Sequence, residues 1–267
     1  MPFLESDGIR FHYKISGENG PLVAFQHGLG GELSQPQAIL GRSRLLRVFS
    51  FDCRGHGLTT PLGPLERLAF SSFADDLRTI LDSMAVDKAI VGGISMGAGI
   101  ALNFATRNPD RVTALILARP AWLDRARPRN LEILRTISRL LREHGVERTK
   151  QLVAADPEFL RIQALSQDNA GSILRQLDRP NLEATIATLE RLPASAPVTK
   201  EKAWRAISVP ALVLINDCDA LHPMNYGHTL GAEIPGAKLV EISAKEKDPI
   251  AHALDARRAI EQFVVSL

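Results

Sequence analysis

Residues 8–16, "GIRFHYKIS", alternate apolar and polar positions after a "SDG" turn, which predicts an opening antiparallel hairpin. The pattern then changes. Short runs that are apolar on both faces follow at "LVAFQ" (22–26), "LLRVFSFD" (45–52), "KAIVGGI" (88–94) and "VTALILA" (112–118), each leading into a loop with glycine or proline. Between them the spacing becomes helical. "FADDLRTILDSM" places Phe73, Leu77, Ile80, Leu81 and Met84 on one face, and "GAGIALNFATRNP" runs as a helix that stops near Pro109. Strands without a polar face, alternating with helices, predict a mostly parallel α/β sheet covered on both sides.

The alternation breaks at about residue 121. From there to about 205 no strand pattern stands out. "NLEILRTISRLLREHG", "TKQLVAA", "EFLRIQALSQ", "AGSILRQL" and "NLEATIATLERL" read as short amphipathic helices. Strand pattern resumes at "VPALVLIND" (209–217) and "AKLVEIS" (237–243), and "DPIAHALDARRAIEQFVVSL" closes as a helix. The expectation is a core built from residues 1–121 and 206–267, with residues 122–205 inserted as a helical cap. An insertion of that length is too long for an ordinary connection.

The bulk numbers narrow the class. With 32 basic and 30 acidic side chains among 267 residues, the formal net charge is +2. That gives no electrostatic case for a nucleic-acid or anionic-membrane partner. No run of about 18 apolar residues suggests a membrane span. The start, "MPFLESDGIRFHYKISG", lacks the basic and apolar regions of a signal peptide. Two cysteines, Cys53 and Cys218, do not make a disulfide framework, so a cytoplasmic location is expected.

The candidate chemistry starts at "GGISMGA" (92–98). Gly93, Ser95 and Gly97 fit G-x-S-x-G between a strand and a helix, the pattern of a nucleophile elbow. The turn is sharp, so side chains at the glycine positions would collide with the adjoining strand and helix. It exposes the serine hydroxyl above a helix N-terminus that favours developing negative charge. The Met96 N–H, next to the nucleophile, is one expected oxyanion donor. A serine nucleophile also needs a base and an acid. Asp219, in the D-x-x-x-P frame of "DCDALHP", is the preferred acid, with Asp217 and Asp124 as alternatives. His252 is the only histidine in the final segment and is the expected base, with His222 as the alternative. His27 and His56, in "FQHGLGG" and "FDCRGHG", read as turn-bracing histidines. No metal-ligand spacing and no phosphate loop is present, so no metal or cofactor is expected.

Together, "HGLGG", "DCRGHG", "GISMG", the helical insertion, "DCDALHP" and the final helix resemble the α/β-hydrolase superfamily over essentially the whole chain. The resemblance implies an α/β-hydrolase fold with an inserted cap, and a triad in the order Ser95, Asp219, His252. It implies Leu29 N–H as the second oxyanion donor. Many members carry Gly-His at the catalytic histidine, whereas Ala251 precedes His252 here. The implied reaction is hydrolysis of a small carboxylic ester, thioester or lactone through an acyl-enzyme on Ser95. Carbon–carbon bond hydrolysis and cofactor-free perhydrolysis use a similar triad. A serine at the elbow disfavours epoxide hydrolases and haloalkane dehalogenases, whose nucleophile is aspartate. The reading from a different class is a non-catalytic ligand-binding relative. Arg119 and Trp122, in "ARPAWLD", are candidate substrate contacts, and the expected partner is a small acyl substrate.

Overall fold

The computed structural model describes residues 2–267. Strand β1 (Phe3–Ser6) turns through Asp7 and Gly8 into β2 (Ile9–Ser16), forming the expected antiparallel hairpin. Then come β3 (Leu22–Gln26), α1 (Ser34–Leu40), β4 (Arg47–Phe51), α2 (Phe70–Ser83), β5 (Ala89–Ile94), α3 (Met96–Arg107) and β6 (Val112–Ala118). Helices α4 (Glu132–Ala154), α5 (Pro157–Leu165), α6 (Gln167–Arg175) and α7 (Leu182–Arg191) separate β6 from β7 (Ala211–Ile215). The chain closes with α8 (Met224–Glu233), β8 (Lys238–Glu241) and α9 (Pro249–Val265).

The strands form one eight-stranded sheet in the order β1-β2-β4-β3-β5-β6-β7-β8. Only the β1–β2 and β2–β4 pairings are antiparallel. Alternate residues of the central strands feed two cores. Val91, Leu115 and Val213 pack with α2, α3 and α8, whereas Ile90, Ile116 and Leu214 pack with α1 and α9. This explains why β5, β6 and β7 read as continuous apolar runs: both faces lie against helices. The outer strand β8 is mostly exposed, so its pattern is weaker.

One local feature differs from the sequence pattern. Helix α1 went unread, because "SQPQAIL" is short, contains proline and has no side-chain cap. The span α4 holds two helical segments that meet at Gly145, whose φ 72° and ψ 179° are not helical, so "TKQLVAA" lies in a helix of its own as expected. That backbone conformation favours glycine and lets the chain change direction between the two segments.

Candidate active site

β5 delivers Ser95 to the end of the sheet. Ser95 has φ 57° and ψ −109°, an unfavourable conformation for a residue with a side chain. Two backbone bonds hold it there: Ser95 N–H donates to Ala118 O (2.9 Å), and Gly99 N–H donates to Ser95 O (3.1 Å). The flanking glycines are required by close approach. A Cβ on Gly93 would strike the Gly97 backbone, and one on Gly97 would strike the Gln26 carbonyl.

Ser95 lines a cavity of about 170 Å³ together with Leu29, Arg119, Trp122 and His222. Residues of α6 also line it. The loop that follows β3 is tightly held. Gly31 N–H donates to Gly28 O (2.9 Å), Gly28 N–H to Gln35 Oε1 (2.7 Å), and Gln176 Nε2 donates to Leu29 O (3.2 Å). The Leu29 N–H and the Met96 N–H have no acceptor among the described residues. The Met96 donor is one of the orphan N–H groups of the α3 N-terminus.

The acid is strongly engaged. Asp219 Oδ2 accepts from Arg119 Nε (2.8 Å) and faces Arg119 Nη2 at 2.6 Å. Asp219 Oδ1 accepts from His222 Nδ1 (2.8 Å) and from the His222 backbone N–H (3.2 Å). Burial pushes the Asp219 carboxyl up, but Arg119 and then His222 outweigh burial and hold it well below the usual carboxylate range. Burial lowers the His222 pKa and Arg119 lowers it further, against the opposing pull of Asp219. His222 Nδ1 lies 2.8 Å from Asp219 Oδ1 and 3.2 Å from Arg119 Nη2; the ionised carboxylate, which can only accept, is the nearer, so the lowered pKa favours a neutral imidazole with its proton on Nδ1, and Nε2 has no partner among the described residues.

His252 is placed otherwise. Asp248 caps α9, accepting from Ile250 and Ala251 N–H at 3.0 and 2.9 Å, so His252 falls in the first turn of that helix. Its Nδ1–H donates to Ser243 O (2.8 Å), and it does not line the cavity. Burial lowers its pKa, with the Ser243 carbonyl opposing. The expected pairing of Asp219 with His252 is thus replaced by a pairing of Asp219 with His222, only three residues along the chain. No side-chain hydrogen bond joins Ser95 to either histidine among the described residues.

Arg119 and Trp122 both reach the cavity. The Arg119 guanidinium is occupied by Asp219, which removes it as a free cation for a substrate carboxylate. Trp122 packs edge-on against Phe70, with ring centroids 5.1 Å apart. His27 and His56 are buried in the braces of their turns. His27 Nδ1 donates to Gly28 O and its Nε2 accepts from Cys53 N–H, while His56 Nδ1 donates to Arg54 O. Among the described residues, no group of three or more His, Cys, Asp or Glu side chains is placed to hold a metal. No helix is long and apolar enough to cross a membrane.

A family model of the alpha/beta hydrolase fold matches residues 21–246. The chain belongs to this family. The α/β hydrolase is 28% identical over 235 residues to the RutD protein of Klebsiella pneumoniae (strain 342), named as a carbamate hydrolase, covering 83% of this chain and 82% of that one. Its fold resembles the enol-lactonase from Burkholderia xenovorans LB400, with a TM-score of 0.78 at 23% identity, covering 99% of this chain and 100% of that one. It also resembles an N-acyl homoserine lactone degrading enzyme, with a TM-score of 0.69 at 20% identity over 100% of both chains. The family match ends at Glu246, so His252 lies beyond it.

Several cavity residues of the hydrolase were not singled out from the sequence. Asn169, Ser172, Arg175 and Gln176 share one side of α6 and its C-terminal turn, and Lys245 follows β8. The α6 set had a signal, since spacings of three and four residues put polar side chains on one face. Lys245 had none beyond its position after the last strand.

Proposed function

We propose that this hydrolase cleaves small carboxylic esters or lactones through an acyl-enzyme on Ser95, with His222 as the base and Asp219 as the group that orients it. One observation carries the assignment: His222, bonded through Nδ1 to the Asp219 carboxylate, lines the same cavity as Ser95. In this reading His222 Nε2 takes the Ser95 proton as Oγ attacks the carbonyl. The resulting imidazolium is stabilised by Asp219, and the same proton passes to the leaving alcohol. The Leu29 and Met96 N–H groups receive the oxyanion. Water, activated by His222, then releases the acid and restores Ser95. The inserted helices act as a cap, because α6 lines the same cavity as Ser95. Two proteins of similar fold, an enol-lactonase and an N-acyl homoserine lactone degrading enzyme, act on lactones, which agrees with this substrate class.

A fluorophosphonate probe read by intact mass tests the assignment. Wild type is expected to gain one adduct, and Ser95→Ala none. His222→Gln should label slower by about 10²-fold or more, while folded His252→Gln labels at the wild-type rate. The reverse result for the two histidine variants would transfer the base to His252. A folded wild type that takes no label would support the ligand-binding reading instead.

A further inference from the structure

The charges around the cavity do not cancel. Arg119 is matched by Asp219, at 2.6 Å. Lys245 is matched by Asp168, with Nζ to Oδ1 at 2.7 Å. Arg175, on the last turn of α6, lines the cavity with no ion pair or hydrogen bond among the described residues. His222 is neutral. The cavity lining thus carries one uncompensated positive charge, supplied by α6.

The Arg175 side chain is exposed and lies against Gly171, one turn earlier on α6, with Nη1 3.2 Å from where a Cβ there would sit. Gln176, the next residue, is buried and donates to Leu29 O (3.2 Å), which fastens the end of α6 over the loop that carries the Leu29 N–H. Ser172 lines the same cavity. A guanidinium without a carboxylate partner suits a planar anion bound through paired hydrogen bonds. The cavity, at about 170 Å³, is smaller than the pockets of about 300 Å³ and above that take drug-sized ligands. Ser95 and Arg175 line this one small space, so a single ligand can meet both.

We propose that Arg175 binds a substrate carboxylate, so that the substrate is a small ester or lactone carrying one carboxylate away from its scissile carbonyl. This rests on the Ser95 hydrolase reading for the scissile end only. The charge on α6 would select the substrate, and the groups on the core would cleave it.

The test compares monomethyl succinate with methyl butanoate, which has the same acyl carbon count but no charge. The quantity read is the ratio of their kcat/KM values. Wild type is expected to favour the charged ester by about tenfold or more. Arg175→Met should bring the ratio near one, mainly through the KM of monomethyl succinate, and Arg175→Lys should restore part of it. Arg139→Met, which removes a solvent-facing cap cation paired with Glu143, should keep the wild-type ratio. A wild-type ratio near one, or a high ratio unchanged in Arg175→Met, would overturn the proposal. Calorimetry separates this from failure of the hydrolase reading. Monomethyl succinate is titrated into Ser95→Ala and into Ser95→Ala/Arg175→Met. Binding that weakens about tenfold in the double variant supports the subsite even if Ser95 takes no fluorophosphonate label. Equal binding, or none to either, counts against it.

Discussion

Asp219 divides its carboxylate between two partners: Oδ2 goes to Arg119 and Oδ1 to His222. This sharing tunes His222, the base proposed for Ser95. A carboxylate facing only an imidazole would raise the imidazole pKa, but here burial and the Arg119 cation outweigh Asp219 and pull His222 below the ordinary histidine value of 6.5. The neutral form is the one that can accept the Ser95 proton. Activity should therefore rise with pH through an acid limb centred below 6.5 and be full at neutral pH. Arg119→Gln removes a cation that disfavours imidazolium, so its acid limb should move to higher pH. Arg119→Lys keeps the charge, and its limb should lie nearer wild type. A pH profile of kcat/KM for the three proteins decides this, and coincident limbs would mean that Arg119 has no electrostatic hold on the base.

The elements around the elbow explain what could be read in advance. Gly93 and Gly97 permit a turn that no other residue fits, so the sharp turn at Ser95 was legible in seven consecutive letters. The apolar runs of β3, β5, β6 and β7 were legible for a similar reason, since each is buried on both faces. The partner of Asp219 was not legible. Chain order placed His252 after the last strand, but the Asp248 cap starts α9 early enough to turn that imidazole onto Ser243 O. Which histidine meets the carboxylate depends on loop geometry between β7 and α8, where only three residues separate Asp219 from His222. Helix α9 matters for the sheet independently of His252. Ile260 is fully buried against the sheet face that carries Ile90, Ile116 and Leu214. Ile260→Ala should cost about 2–5 kcal/mol in urea unfolding, and a loss under about 0.5 kcal/mol, the range of surface changes, would show that α9 packs loosely.

At the scale of the whole molecule, the inserted helices share an apolar cluster with the core, Ile137, Ile173 and Leu189 lying in the same cluster as Phe70 and Met96, and α6 adds a set of polar ties. Glu246, in the loop after β8, accepts from Ser166 Oγ and Asp168 N–H, both at 2.8 Å, at the start of α6. The neighbouring Lys245 donates to Asp168 Oδ1. At the far end of α6, Gln176 reaches Leu29 O, and beyond it Arg179 donates to Gly55 O. Burial without a carboxylate partner pulls the Arg179 pKa down to about 10, so it remains a cation at neutral pH. These bonds run from α6 and the turn that follows it to core loops, whereas the strands below are joined by continuous backbone ladders. Local opening of α6 should therefore require less free energy than unfolding of the sheet. Glu246→Ala removes both bonds at the start of α6. Hydrogen exchange should then quicken across residues 166–176 while the amides of β5 and β6 keep wild-type protection. If the sheet amides quicken in parallel, the insertion and the core open as one unit, and α6 cannot move separately to admit substrate. If α6 alone quickens, the wall bearing Arg175 opens on its own, and substrate can enter without disturbing the strained backbone at Ser95.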